Sequence, residues 1–345
     1  MRIALDATYA IGDALSGVGL YSREILAGLA ALRPDVRFDY WLRPHRFFRA
    51  GGLAARPNAR LRLLAGPLAP RGADLFHGLN QRMPETRVRA AVVTFHDLFV
   101  MTGEYSTPEF RARFTAQARE AARRADAIIA VSAFTKSQVV ELLGAPESRV
   151  RLIHHGARLL DFPAVAREPV VLCVGALQRR KNMIRLVEAF ERLDERWRLA
   201  LVGDAGFGAA EIRDRIARSP ARARIETPGY VAPSDLALWY RRAAVFAFPS
   251  LDEGFGMPLL EAMAAGTPVV TSNRSALPEV AGDAALLVDP EDTDALADAL
   301  GKLAGDEALR CELARRGKER VQNFRWDRAV RETWEVYRDL LGPAE

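Results

Sequence analysis

An α/β architecture of two doubly wound domains is what this sequence predicts, and three observations carry the prediction. Short apolar runs of strand length alternate with longer helical patterns along the chain. A polar, proline-bearing stretch at 157–169 divides that alternation into two series. A chain of 345 residues with 49% hydrophobic content is long enough for two ordinary domains, each with its own core.

The first series places strands at 3–7, 38–42, 61–64, 75–77, 91–95, 127–131 and 150–153. The second places them at 170–174, 198–202, 224–227, 245–248, 268–271 and 285–288. Strands separated by helical stretches are the rhythm of βα units around a parallel sheet. Two such domains are expected to face each other across a cleft. Open α/β sheets bind ligands beyond the carboxyl ends of their strands, and the motifs below sit at such ends. The last helical stretch, 326–341, offers Trp334, Val336, Tyr337, Leu340 and Leu341 for packing. No internal repeat or low-complexity segment is evident.

Composition narrows the function classes. Cys173 lies in an apolar run and Cys311 in a polar helical stretch, so no disulfide framework or metal-ligand spacing is present, and a reducing cytoplasm is expected. The opening MRIALDATYAIGD is interrupted by Asp6 and Asp13 and lacks the apolar core of a signal peptide. No apolar run approaches the roughly 20 residues of a spanning helix. Residues 1–160 hold 23 Lys and Arg against 14 Asp and Glu, whereas residues 161–345 hold 26 against 30. The basic first half, with Arg43, Arg46, Phe47, Phe48 and Arg49 mixing cations and aromatics, suits peripheral contact with an anionic membrane or a charged acceptor. A solvated arginine-rich surface is the alternative. Nucleic acid is not expected as a partner, because no recognised binding motif accompanies the charge.

The string PSLDEGFGMPLLEAMAAGTPVV, 249–270, carries two glutamates, Glu253 and Glu261, with seven residues between them. Gly254 and Gly256 permit close backbone approach, and Pro258 suits a first helical residue, so a helix whose amides face an anion is expected from there. Gly266 and Pro268 stop it. On this reading Glu261 stands in the first helical turn, where the plain alternative is a carboxylate offsetting the helix dipole by about 0.3–1 kcal/mol. The whole string resembles the signature of retaining nucleotide-sugar glycosyltransferases of the GT-B fold, in the large family that includes many bacterial mannosyltransferases. The resemblance implies that Glu253 contacts donor-sugar hydroxyls and Glu261 the ribose. It places the amides of Phe255, Gly256 and Met257 beside sugar and phosphates, with Gly254 in the same turn.

A second motif, GALQRRKN at 175–182, follows the strand at 170–174. Gly175 turns the chain, and the adjacent cations Arg180 and Lys181 precede an amphipathic helix. Fixed cations there favour a leaving diphosphate, whose negative charge grows as the sugar bond breaks. Arginine supplies a planar fork and lysine a mobile point charge. A basic surface loop is the alternative. The family has a matching Arg-Lys-Asn or Arg-Lys-Gly string, so the resemblance gives Arg180 and Lys181 the phosphate role. Arg179 departs from the common proline, and Ala176 stands where some relatives carry a further arginine.

Near the amino terminus, SGVGLYSREILAGL at 16–29 suggests a Gly-rich loop entering a helix. Ser22 replaces the third glycine of a dinucleotide fingerprint, so an NAD site is not expected. The family places this loop, with Gly17, Val18 and Gly19, over the donor phosphates and near the acceptor; ordinary helix surface is the alternative for Tyr21 or Arg23. His96-Asp97-Leu98 ends the strand at 91–95 where the family has a histidine contacting the transferred sugar, with Asp97 fixing the imidazole or the turn. Tyr230 and Val231 are expected beside the nucleotide base, and Glu279 behind the site. Asp292-Thr293-Asp294 matches the Asp-x-Asp metal motif of the other glycosyltransferase fold, but it opens an acidic helix, where Asp residues act as caps. Ser132 is likewise expected as a helix cap rather than a nucleophile. His45, His77, His154 and His155 do not form a metal set.

These readings converge on a metal-independent retaining hexosyltransferase without cofactor, its partners a nucleotide-sugar donor and a glycan or lipid-linked saccharide acceptor. GDP-mannose is the first expectation for donor. The resemblance implies domains at 1–162 and 163–326, with a helix at 327–345 crossing back to the first. A nucleotide-sugar epimerase of the same fold and a catalytically silent nucleotide-binding subunit are the alternatives.

Overall fold

The computed structural model describes residues 1–12, 15–50, 53, 56–64 and 70–342. Asp13 and the last three residues of the expected helix at 327–345 lie outside the described residues. The chain folds as two α/β units, Met1–Thr102 with Thr107–Gly156 and Arg325–Glu345, and Gly103–Ser106 with Ala157–Phe324.

The first unit is built on seven strands: β1 (Arg2–Asp6), β2 (Arg37–Leu42), β3 (Ala59–Leu63), β4 (Leu75–Gly78), β5 (Ala90–Phe95), β6 (Ala127–Ala130) and β7 (Val150–Leu152). They are all parallel, in the order β3-β2-β1-β4-β5-β6-β7, so the winding reverses between β1 and β4. Successive residues of a strand face opposite sides of a sheet. Val92 and Ile129 therefore join one buried core, while Val93 and Ile128 join the other.

The helix Trp326–Leu341 is part of this first unit. It lays Val330, Trp334, Val336 and Tyr337 into the core that holds Ile3, Leu5, Ile25 and Leu29. Burying a large apolar side chain of this kind contributes about 1.5–3 kcal/mol. The approach to the helix Gly17–Leu32 is close enough to require glycine at position 28, since a Cβ there would lie 2.3 Å from Val330 Cγ2. Arg33 lies over the Trp334 ring at 4.3 Å.

The second unit has six parallel strands: β8 (Glu168–Val174), β9 (Arg198–Val202), β10 (Ile225–Gly229), β11 (Ala243–Phe248), β12 (Val269–Ser272) and β13 (Ala285–Val288). Their order is β10-β9-β8-β11-β12-β13, with the reversal between β8 and β11. At such a reversal the two following loops diverge to opposite faces and leave a crevice beyond the strand ends. The loops in question are those that follow Val174 and Phe248, which carry the two strongest sequence motifs.

Two expected caps are present. Ser132 accepts a hydrogen bond from the Thr135 amide at 2.9 Å, and Asp292 accepts one from the Ala295 amide at 2.9 Å. Among the described residues no helix is long and apolar enough to cross a membrane.

Candidate functional site

Beyond β8 the chain turns at Gly175, whose φ of +147° is the region glycine tolerates. A side chain there would also press on the Lys181 stem, its Cβ 3.2 Å from Cε. A single 3-10 turn, Arg179–Lys181, then leads to Asn182 in the left-handed conformation, which Asn adopts more readily than most residues. The Asn182 amide donates to the carbonyls of Pro249 at 3.1 Å and Pro290 at 2.6 Å. One buried side chain thereby ties the loop after β8 to those after β11 and β13. The Leu251 amide donates to the Arg180 carbonyl at 2.8 Å, and Arg180 Nη1 donates to the Asp252 carbonyl at 2.7 Å.

This scaffold brings three charges together. Glu253 Oε1 accepts from Arg180 Nη1 at 2.8 Å and from Lys181 Nζ. Lys181 and Glu253 are 7% and 8% exposed, so their charges are largely withdrawn from water. Burial alone would raise the Glu253 pKa, but the Arg180 and Lys181 cations overcome it and hold the carboxyl at about 2. Burial pushes the Lys181 ammonium down, opposed by Glu253. Lys181 Nζ also lies 4.4 Å from the centre of the Phe248 ring. The cluster itself carries two cations to one anion, and the buried Asp252 stands next to it in the same loop.

The Gly-Phe-Gly turn follows. Gly256, at φ +106°, precedes the helix Met257–Ala264, and no side chain caps that helix. A Cβ on Gly256 would lie 2.7 Å from Leu277 Cδ2, so close packing as well as conformation selects glycine. Phe255 is buried edge-on against Phe324 at 5.8 Å. Glu261 points to different partners from Glu253: its Oε2 accepts from the Tyr240 hydroxyl at 2.7 Å, and its Oε1 lies 3.7 Å from Arg158 Nη1. Burial raises the Glu261 pKa, moderated by Tyr240 and Arg158.

In the first unit, His96 follows the end of β5 and is buried. Its Nε2 lies 2.9 Å from the Leu79 carbonyl and its Nδ1 3.3 Å from His155 Nε2. Burial lowers its pKa to about 4, so the ring is neutral at ordinary pH.

Residues 16–159 match the Glycosyltransferase Family 4 description, and residues 168–306 match glycosyl transferases group 1. The chain is 32% identical over 284 residues to O-antigen chain mannosyltransferase B of Escherichia coli, a match spanning 77% of this chain and 74% of that protein. It belongs to the group 1 glycosyltransferases. This glycosyltransferase also superposes over its full length on a sucrose-phosphate synthase from Thermosynechococcus elongatus, with a TM-score of 0.82 and 25% identity, covering all of both chains. Anabaena HepE, solved with UDP and glucose, gives a TM-score of 0.77 at 19% identity over 98% of this chain and all of HepE. The GT-B fold is therefore shared.

The expected positions divide between the two units of the glycosyltransferase. Gly175, Arg180, Lys181, Glu253, Gly254, Phe255, Gly256 and Met257 occupy the strand-end loops and helix start of the second unit. Tyr230, half exposed, and Val231 follow the end of β10. Glu279 lies in the short helix after β12, where its carbonyl accepts from Arg320 at 2.6 Å. The residues that meet the Glu253 backbone are its neighbours: its amide donates to Ser275 Oγ at 3.1 Å, and its carbonyl accepts from the Ala276 amide at 3.2 Å.

Several expectations are corrected. Helix starts at Met257 rather than Pro258, so Glu261 is the fifth helical residue and lies outside the first turn; proline, which has no N–H, occupies the second helical position without loss, since an N–H there would have no intrahelical acceptor. Gly17, Val18 and Gly19 are the first turn of a helix and not a loop. Ser16 caps it by accepting from the Gly19 amide at 3.2 Å, and the backbone of Tyr9 packs where a Cβ of Gly19 would sit. Tyr21 is not helix surface: it is fully buried, with its hydroxyl 2.9 Å from Thr94 Oγ1. Arg23 is exposed but tethered to the carbonyls of Ala10 and Gly12, each at 3.2 Å. The His96 ring is held by Leu79 and His155, while Asp97 follows half-buried in the same turn. Sequence reasoning passed over Asn182, Tyr240, Arg158 and His155. Only Asn182 left a signal, as the polar residue ending a cationic string before a helix.

Proposed function

We propose that this glycosyltransferase is a retaining, metal-independent enzyme that moves a hexose, mannose from GDP-mannose in the first instance, to a glycan or lipid-linked saccharide in surface-polysaccharide synthesis. The observation that carries the reading is the buried Arg180–Lys181–Glu253 cluster at the reversal of the second sheet. Its pair of cations suits a nucleoside diphosphate and supplies the charge stabilisation that a divalent cation gives in other transferases. The name of the Escherichia coli relative supports mannose. HepE, at 19% identity, carries the fold alone and no preference of base.

In this mechanism Arg180 and Lys181, with the backbone from Gly175 and the Phe255 turn, hold the diphosphate. Glu253 accepts from a sugar hydroxyl and Glu261 from the ribose, and His96 stands on the sugar side of the first unit. As the bond from the anomeric carbon to the phosphate oxygen breaks, the acceptor hydroxyl attacks from the same face, and its proton passes to the departing phosphate oxygen. The unshared lone pairs of Glu253 are ordered by its two cations before the donor arrives, so little reorganisation accompanies the reaction.

Between Asp39 and Asp74 the sequence has seven arginines and no Asp or Glu, and Phe48 is 91% exposed in that stretch. That combination supports a cytoplasmic enzyme in peripheral contact with an anionic membrane, where a lipid-linked acceptor is found.

The test is thermal stabilisation by GDP, UDP, dTDP and ADP and their sugar conjugates, followed by transfer to lipid-linked and free glycans with and without EDTA. Selective stabilisation by GDP-mannose and EDTA-resistant transfer with retained anomeric configuration are expected. Preference for another nucleotide overturns the mannosyl assignment, and loss of turnover in EDTA overturns metal independence. A product formed from donor alone points to an epimerase, and binding without turnover to a silent subunit.

A further inference from the structure

His96 has two ring nitrogens, and the structure fixes what each must do. Its Nε2 lies 2.9 Å from the Leu79 carbonyl, which only accepts, so Nε2 carries the proton. The ring is neutral at ordinary pH, which leaves Nδ1 as a bare acceptor. The partner there, 3.3 Å away, is His155 Nε2, and that nitrogen must be the donor. The two ring planes are nearly parallel, at 18°, with centroids 5.2 Å apart. His155 is itself held in place. Tyr21 meets both imidazoles edge-on with centroids 4.8 Å away, and Trp326 lies 5.8 Å from His155. Tyr21 is anchored through its hydroxyl to Thr94, which also bonds His77 at 2.8 Å.

We propose that His155 is a positioning residue for His96: by donating from Nε2 to His96 Nδ1 it sets the tautomer and the rotation of the imidazole, and hence the turn that presents His96 to the donor sugar. The inference rests on the sugar-side reading of His96. His155 comes from the segment after β7, two strands away from β5, so the bond joins separate strand ends of the sheet. A leucine at 155 fills the space without the donor, which frees the His96 ring to exchange its proton to Nδ1 and release Leu79. Glutamine places an amide N–H near the former Nε2 position and restores the bond.

The experiment compares His155→Leu, His155→Gln and His96→Ala by steady-state kinetics, with nitrogen-15 spectra of histidine-labelled protein and thermal midpoints for each. Expected are a wild-type spectrum with His96 protonated on Nε2, a fall in kcat of about 10- to 100-fold in His155→Leu with KM for the donor changed less than threefold, and recovery of most of kcat in His155→Gln. A wild-type spectrum with His96 protonated on Nδ1 overturns the proposal without any variant. So does wild-type kcat in His155→Leu, or a glutamine variant of native thermal midpoint that is no better than leucine. Full turnover in His96→Ala sinks the sugar-side reading of His96 and this proposal with it. Impaired His96→Ala beside an unimpaired His155→Leu sinks this proposal alone.

Discussion

The two units place opposite kinds of polar chemistry at their strand ends. In the second, Arg180, Lys181 and Glu253 form a compact charged cluster whose geometry depends on each partner's charge. In the first, His77, His96 and His155 are neutral and buried: His77 bonds Thr94 and Tyr337, Thr94 bonds Tyr21, and His96 bonds His155, with the Tyr21 ring packed edge-on against both of the latter imidazoles. Charged groups in a dry site are strong partners for an incoming anion, yet costly to leave unmatched. A neutral network is cheaper to bury and holds backbone turns in register, but offers a ligand little electrostatic attraction. The proposed roles follow this contrast: the diphosphate role rests on the charged cluster of the second unit, and the sugar-side role of His96 on the neutral network of the first.

The most severe way to break that contrast is Lys181→Ala. It removes one cation from Glu253 and the point charge proposed for the diphosphate, so kcat/KM is expected to fall by at least about 100-fold, with nucleoside-diphosphate affinity reduced in titration calorimetry. Glu253→Ala is expected to lower transfer as much while impairing binding of free nucleoside diphosphate far less; equal losses reject that division of roles. Glu261→Gln keeps a hydrogen-bonding group for Tyr240 but removes the charge, and about a tenfold loss of nucleotide-sugar affinity with an unchanged thermal midpoint is expected. Wild-type affinity in that variant removes Glu261 from the donor site.

Acid separates the units by window rather than by sign. His96 and His77 have pKa values lowered from 6.5 to about 4 and about 3 by burial, so the unfolded chain takes up protons first. Stability from these groups is complete above pH 6.5 and is lost as pH falls toward 4 and 3, by about 3 kcal/mol for His96. Glu253, lowered from 4.5 to about 2, contributes above pH 4.5 and loses that contribution only as pH falls toward 2. Urea unfolding followed by peptide-resolved hydrogen exchange is expected to show the first unit weakening between pH 6.5 and 4.5 while the second holds. Simultaneous weakening contradicts the contrast. The smallest effect is expected for Asp292→Ala, which removes a helix cap for about 1 kcal/mol and leaves transfer unchanged. Lost activity there would reopen the Asp-x-Asp metal reading.

Much of this was legible in the sequence because it is written in short-range pattern. Apolar runs marked the strands, and Gly254, Gly256 and Pro258 marked a turn into a helix. The start of that helix was missed by one residue because proline fits the second helical position as well as the first. The SGVG string read as a loop because glycines lower helix propensity, whereas Ser16 caps the turn and Gly19 is needed for close approach to Tyr9. Tyr240, Arg158 and His155 carry no local signature. Each acquires meaning from a partner far along the chain, and His155 reaches His96 across 59 positions.

The return of the helix Trp326–Leu341 to the first unit sets an order of events on the ribosome. Tyr337 completes the hydrogen bond to His77 at 2.6 Å, and Trp334 covers apolar residues of the first sheet. Both are translated only after the whole of Ala157–Phe324. At roughly 5–20 residues per second the emerging first unit waits about ten to thirty seconds with Ile25, Leu29 and their neighbours unsealed, while the second unit can close as soon as it is made. The part of the protein synthesised first is thus the part finished last, and a nascent chain stalled before Trp326 is expected to be held by chaperones through its first half.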